Sequence, residues 1–230
     1  MIEQSTPEGR IVAAALGLAA ERPWRDVSLR DIAERAGMGL ADLRRHVDSK
    51  GAVLALFARA IDDEVLNNGP RPAPGEAKRD ALFEVLMARF DALQPHKAAV
   101  RSIVADASTE PAAIRAMLAS QAWMLQAAGI DSGGIDGGVR VAGLTSVYAS
   151  VLRTWLDDDD PGLARTMAAL DRRLRRGERT LEAFDEAGNT LRRIGEGVAS
   201  LFGGSRAKPA PPPAGERDAS KPPPDMPINA

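Results

Sequence analysis

Residues 28–57, SLRDIAERAGMGLADLRRHVDSKGAVLALF, decide the fold. Their hydrophobic period gives a helix, a tight turn, a short helix and a longer helix. Ser28 is an N-cap candidate whose hydroxyl can accept from a backbone amide two or three residues on. Asp31 adds negative charge at the positive end of that helix. Leu29, Ile32, Ala33 and Ala36 share one face, and Gly37 suits the left-handed residue that ends a helix. The short helix, about Leu40 to Val47, turns Leu43 and Val47 inward and carries Arg44, Arg45 and His46 on its other face. Asp48-Ser49 caps the next helix, where Val53, Leu54, Leu56, Phe57 and Ile61 form an apolar stripe. Upstream, Ile11, Ala14, Ala15 and Leu18 predict a preceding helix.

The rest of the chain is read the same way. Aromatic residues make up only 4% of the 230, so the core must come from Ala, Leu, Val, Ile and Met. These residues recur at helical spacing without alternating Val/Ile/Thr runs, which predicts an all-α protein. Cysteine is absent, which excludes disulfides, thiolate metal sites and Cys nucleophiles. No apolar run reaches 18 residues and the N-terminus has no signal-peptide pattern, so a cytoplasmic location is expected.

After the fourth helix, Asn67-Asn68-Gly69-Pro70 breaks the pattern and 67–75 reads as a linker. Leu82, Val85, Leu86, Arg89, Phe90 and Leu93 make one amphipathic helix. Another begins at Pro95 and runs to about Ala105. Pro111 suits the first turn of a third, with Ile114, Met117, Leu118, Trp123 and Leu125 apolar. Ser132 to Gly138 reads as a flexible break. Leu144, Val147, Tyr148, Val151, Leu152 and Trp155 then follow a regular helical stripe. Asp157 to Asp160 provides an Asp cap with Pro161 at the first position of the next helix, which carries Leu163, Met167, Leu170 and Leu174. Of the 16 prolines, 8 lie after residue 205 without apolar periodicity, so 204–230 is expected to be a disordered tail.

The segments IVAAALGLAAERPW, VSLRDIAERAG and LADLRRHVDSKGAVLALF resemble the TetR family of transcriptional regulators over about Arg10 to Val65. The resemblance implies a TetR-like all-α fold with a three-helix, helix-turn-helix DNA-binding domain whose third helix enters the major groove. By position, Gly39 to Val47 would be that recognition helix, and Lys50 would begin helix four beside the phosphates. The implied DNA contacts are Ser28, Arg30, Gly39, Leu40, Asp42, Arg44, Arg45, His46 and Lys50. Two departures stand out. The family's aromatic pair is replaced by Asp42-Leu43-Arg44-Arg45-His46-Val47, so Arg44 stands where a phosphate-contacting tyrosine is usual, and a guanidinium can hold a phosphate. Pro23 replaces a common glycine.

Charge tempers this reading. Met1 to Val65 holds 9 Lys/Arg against 11 Asp/Glu, while Arg25 to Lys50 holds 6 against 5. Affinity for phosphates must therefore come from a local cluster, Arg44, Arg45, His46 and Lys50, rather than from a basic domain. Enzymatic readings find little. His46 and His96 are the two histidines, and neither spacing joins them to a nucleophile or a carboxylate pair. Four consecutive aspartates point in different directions and read as a solvated cap rather than a metal cluster. No catalytic residue, metal or cofactor is expected.

A second resemblance covers about Arg79 to Phe202. RDALFEVLMARFDALQPH and VYASVLRTWLDDDDPGLARTMAALDRRL are similar to the ubiquinone-biosynthesis accessory lipid-binding family, which shares the TetR fold. That likeness implies an isoprenoid lipid held between helices, a last amphipathic helix that touches a membrane, and an exposed tryptophan, here Trp123, used with a partner enzyme. Leu181, Phe184, Leu191, Ile194, Val198, Leu201 and Phe202 form a matching stripe in 179–202. Core packing or a dimer face explains it equally well, since its polar face lacks the basic bias of interfacial helices. The expected organisation is 1–66 as a helix-turn-helix DNA-binding domain including helix four, 67–75 as linker, 76–203 as a helical ligand-binding and dimerisation domain, and 204–230 as tail. The expected activity is regulation by a homodimer that reads two operator half-sites and holds a small apolar ligand, with Phe90, Met117, Trp123, Tyr148 and Trp155 as pocket candidates. The alternative is a lipid-binding accessory protein with a vestigial reading head.

Overall fold

The computed structural model describes residues 5–106 and 111–177. The chain divides into two units, Met1–Ala183 and Phe184–Ala230, and every described residue belongs to the first. All regular structure among the described residues is helical. The expected tail at 204–230 and the stripe at 179–202 lie outside them.

Helix α1 (Pro7–Glu21) starts on Thr6, whose hydroxyl accepts from the Gly9 amide at 3.0 Å, and Pro7 occupies the first turn, where its missing N–H costs nothing. Its apolar positions Ile11, Val12, Ala15 and Leu18 are buried. A 3-10 turn at Trp24–Asp26 leads to α2 (Leu29–Arg35). Here the Ser28 hydroxyl accepts from the Asp31 amide at 3.2 Å while the Asp31 carboxylate accepts from the Ser28 amide at 2.8 Å, a reciprocal capping box. Gly37, at φ +67°, ends the helix. Its amide donates to Glu34 and the Met38 amide to Ala33, which satisfies carbonyls that the last turn would leave open.

Helix α3 (Leu40–His46) follows after the four residues 36–39, and α4 (Lys50–Asn68) starts on Ser49, whose hydroxyl accepts from the Ala52 amide at 3.1 Å. A non-helical stretch, 69–77, joins α4 to α5 (Lys78–Leu93). A 3-10 turn at Gln94–His96 precedes α6 (Lys97–Asp106), followed by α7 (Pro111–Ala127), α8 (Gly134–Leu156) and a ninth helix at 164–177, α9.

The core is continuous from α1 to α9. Helix α4 packs along α7 and α5, and α6 lies against α1 and the Trp24–Asp26 turn. Hydrogen bonds fix that last contact. The Trp24 amide donates to Ser102 Oγ at 2.9 Å, and the Arg25 amide to Asp106 Oδ2 at 3.0 Å. Phe90 stacks on Tyr148 with centroids 5.2 Å apart, and Trp155 tilts against Phe90 at 5.8 Å.

Two local expectations are corrected. The glycine-rich stretch Ser132 to Gly138 is not a break throughout: α8 begins at Gly134, and the Gly137 amide donates to the Gly133 carbonyl at 3.0 Å. A Cβ on Gly137 would meet the Ser132 carbonyl carbon at 2.1 Å, so glycine lets the chain fold back there. Pro161 does not open α9 either. Pro161 and Gly162 form a turn, and the helix starts at 164, after Leu163 at φ +51°. The aspartates do act as caps. Asp160 Oδ2 accepts from the Ala164 amide at 3.1 Å, and buried Asp158 accepts from both the amide and the hydroxyl of Thr166, at 2.8 and 2.7 Å.

Candidate nucleic-acid interface and interior cavity

The expected DNA contacts lie on α2, α3 and the start of α4, with Ser28, Arg30, Gly39, Leu40, Asp42, Arg44 and Arg45 exposed and His46 and Lys50 partly buried. Helix α3 is anchored by Leu43, 2% exposed, and by Val47 just beyond its end, so its remaining faces are left to solvent. Gly39, the N-cap, and Leu40, 45% exposed, stand at its leading end. Arg44 and Arg45 are exposed on its outer side. Arg45 Nη1 donates to Asp42 Oδ1 at 2.7 Å, one turn back, so this guanidinium is partly neutralised within the helix. Arg44 and Arg30 have no partner among the described residues. Ser28 and Arg30, at the start of α2, are exposed.

His46 and Lys50 take different places. His46 Nδ1 lies 2.7 Å from Glu8 Oε1, which ties the end of α3 to the first turn of α1. The Glu8 carboxyl is held below the usual carboxylate range by the backbone amide that it accepts from and by His46. Lys50 turns inward: its Nζ donates to the Trp24 carbonyl at 2.6 Å and sits 4.6 Å from the centre of the indole. In this arrangement Lys50 fastens α4 to the turn after α1. His96, the other histidine, packs edge-on against Phe57 at 5.7 Å, and burial lowers its pKa.

A cavity of about 520 Å³ opens between α4, α5, α6, α7 and α8. Its walls are mainly apolar, with Leu54, Phe57 and Ile61 from α4, Val100, Ile103 and Val104 from α6, and Met117 from α7 among them. Of the pocket candidates, Met117 and Tyr148 line it. Phe90 and Trp155 are fully buried behind Tyr148 as core, and Trp123 is 52% exposed on α7 and lines no part of the cavity.

Sequence reasoning missed the polar end of this cavity. Arg89 reaches Asp62 Oδ1 at 3.1 Å, Ser120 Oγ at 2.7 Å and the Tyr148 hydroxyl at 3.2 Å, joining α4, α5, α7 and α8. Ser120 in turn donates to Asp62 at 2.7 Å. All four side chains are buried. Burial pushes the Asp62 carboxyl up, with Arg89 and Ser120 opposing. Burial likewise pushes the Tyr148 phenol up, keeping it a neutral hydroxyl. The available signal was Arg89 itself, a charged residue at an apolar register position of the α5 stripe. Such a residue must find a buried partner, because an unpaired interior charge is costly.

Residues 11–56 match the family model described as bacterial regulatory proteins, tetR family. The fold is similar to the crystal structure of a TetR transcriptional regulator from Rhodococcus sp. RHA1, at 22% identity over 75% of this chain and 96% of that one, with a TM-score of 0.54. It is also similar to the TetR transcriptional regulator from Nitrosomonas europaea ATCC 19718, at 21% identity over 73% and 95%, with a TM-score of 0.56. No curated protein sequence matches the chain. The family match ends before α5, so the likeness of the C-terminal part to the ubiquinone-biosynthesis accessory family rests on its quoted segments alone.

Proposed function

We propose that this chain, whose residues 11–56 match the tetR family model and whose fold is similar to that of TetR regulators, is a ligand-responsive transcriptional regulator. It acts as a homodimer whose two α3 helices read half-sites one helical turn of DNA apart. Arg44 and Arg30 hold phosphates or base edges directly, with Gly39 and Leu40 at the leading end of α3 and Ser28 at the start of α2 facing the backbone. Arg45 contributes once Asp42 releases it, and His46 and Lys50 set the position of α3 and α4. The exposed apolar residues Ile135 and Val139 on α8 and Ile114, Leu118 and Trp123 on α7 support self-association.

One observation carries the coupling between ligand and DNA. Two helices each face the cavity on one side and hold the reading head on the other. Helix α4 leaves the reading head at Lys50 and lines the cavity with Leu54, Phe57, Ala58 and Ile61. Helix α6 lines it with Val100, Ile103 and Val104, and holds the Trp24–Asp26 turn through Ser102 and Asp106. A molecule that fills the cavity better in one arrangement of α4 and α6 shifts the spacing of the two heads, and DNA binding with it. No helix among the described residues is long and apolar enough to cross a membrane.

The test is a gel-shift titration of the full-length protein against DNA from upstream of its own gene and against scrambled DNA, at several salt concentrations. Specific binding that weakens steeply with salt is the expected result. Equal, weak binding to both DNAs at low salt overturns the reading.

A further inference from the structure

Among the described residues, the cavity wall carries two guanidinium groups, Arg89 and Arg153, and no carboxylate. Arg153 is exposed at the cavity edge and has no partner among the described residues. Arg89 lies at the interior end. Its partner Asp62 and the bridging Ser120 do not line the cavity, whereas Tyr148 does. The guanidinium thus sends one amino group backward to Asp62 and Ser120 and the other, Nη1, to the Tyr148 hydroxyl. Nη1 has a second N–H, and the Tyr148 hydroxyl, which accepts from Arg89, still has its own proton to give. The remaining polar wall residue, Thr145, already donates to the Val141 carbonyl at 2.7 Å. An incoming molecule therefore meets an apolar chamber, a pair of donors beside a buried cation at one end, and a free cation at its edge. A guanidinium beside a second donor matches a carboxylate better than any neutral or cationic head.

We propose that this cavity binds an elongated apolar molecule with a single carboxylate head, which Arg153 attracts at the edge and Arg89 and Tyr148 receive at the interior end. This rests on the reading of the cavity as a ligand site and names its ligand class. The volume falls in the range of pockets that enclose small organic ligands.

Isothermal titration calorimetry on the full chain tests it, with dodecanoate, methyl dodecanoate, dodecanol and dodecyltrimethylammonium as probes below their micelle concentrations. Dodecanoate is expected to bind at least tenfold more tightly than the other three. Arg153→Gln and Tyr148→Phe, one exposed and one near-isosteric, are each expected to weaken dodecanoate several-fold and dodecanol much less. The paired variant Asp62→Asn with Arg89→Gln, which leaves no lone buried charge, is expected to erase the remaining preference. If the ester or the alcohol binds as tightly as dodecanoate, the carboxylate assignment is overturned while the cavity remains a ligand site. If Arg153→Gln and Tyr148→Phe both leave dodecanoate affinity unchanged, the assignment is overturned as well. If none of the four probes binds, the reading of the cavity as a ligand site falls with it.

Discussion

Arg89 and Asp62 meet 3.1 Å apart in the protein interior, their side chains 4% and 9% exposed. Such a pair adds little net stability when both partners are present, because desolvation offsets the attraction. Losing one partner is another matter. Arg89→Leu leaves a buried carboxylate with Ser120 alone and is expected to cost about 3–5 kcal/mol. Asp62→Asn with Arg89→Gln is expected to cost much less. Chemical denaturation of the three proteins checks this. Equal losses in the single and double variants would show that the pair carries no interior charge to balance.

The same pair sets an unusual pH dependence. Burial raises the Asp62 pKa above its ordinary 3.8, so the folded state holds this proton more tightly than the unfolded state. The stability that Asp62 contributes is full below 3.8 and declines as pH rises through its raised folded value. The stability of the wild type relative to the paired Asn/Gln variant is therefore expected to fall as pH climbs from 4 toward neutrality. Denaturation midpoints across that window decide it, and a relative stability that grows with pH contradicts it.

Asp158 behaves in the opposite sense. Burial would raise its carboxyl, but the Thr166 hydroxyl and amide and the Asp160 amide outweigh burial and hold it below 3.8. Its contribution is present above 3.8 and is lost as pH falls through the lowered folded value. Asp158→Asn should lower the denaturation midpoint by a constant amount from pH 7 to 5, and the gap to wild type should narrow in more acidic buffer.

On the DNA side, the partners of each side chain decide the ranking among the proposed contacts. Arg44→Ala is expected to reduce the salt slope of operator binding by about one unit, the loss of one phosphate contact. Arg45→Ala should do less, since Asp42 already holds that guanidinium. Asp42→Asn should raise affinity by freeing Arg45 and removing a carboxylate from the approach of the phosphates. Gel-shift titrations of the three variants over a salt series rank them, and a Asp42→Asn protein that binds more weakly than wild type refutes the ranking.

The α2 cap gives a local check. Ser28→Ala removes one arm of the capping box and is expected to cost about 1 kcal/mol. Ser28→Asp, which can still accept from the Asp31 amide, should recover part of it. Thermal unfolding measures both.

Local signals were strong where each residue's role depends on its neighbours in the chain. Ser28 with Asp31 forms the box, Gly37 takes the left-handed conformation, and Leu43 is the inward anchor of α3. The apolar stripe of α8 was legible for the same reason, with Leu144, Tyr148, Val151, Leu152 and Trp155 all buried. What the local pattern could not show depended on partners far away in sequence. The Trp24 carbonyl and ring hold Lys50. Trp123, expected either in the pocket or as an exposed tryptophan, is half exposed on α7. Arg89 signals the need for a buried partner, but Asp62 could not be named as that partner, because the periodicity of two separate helices says nothing about which faces meet. Pro161 misled because Leu163 takes a left-handed conformation and delays the helix to 164.

The distribution of the three tryptophans has a practical consequence. Trp24, 1% exposed, lies under Lys50 at the junction of reading head and α6; Trp155, 0% exposed, lies behind the cavity against Phe90; Trp123 is open to solvent. The molecule thus contains its own fluorescent reporters, one for each part of the proposed signal path. Replacing Trp123 with phenylalanine would remove the signal that a soluble quencher reaches first. Variants that keep Trp155 or Trp24 alone would then register the cavity and the DNA-reading end one at a time, without an attached label.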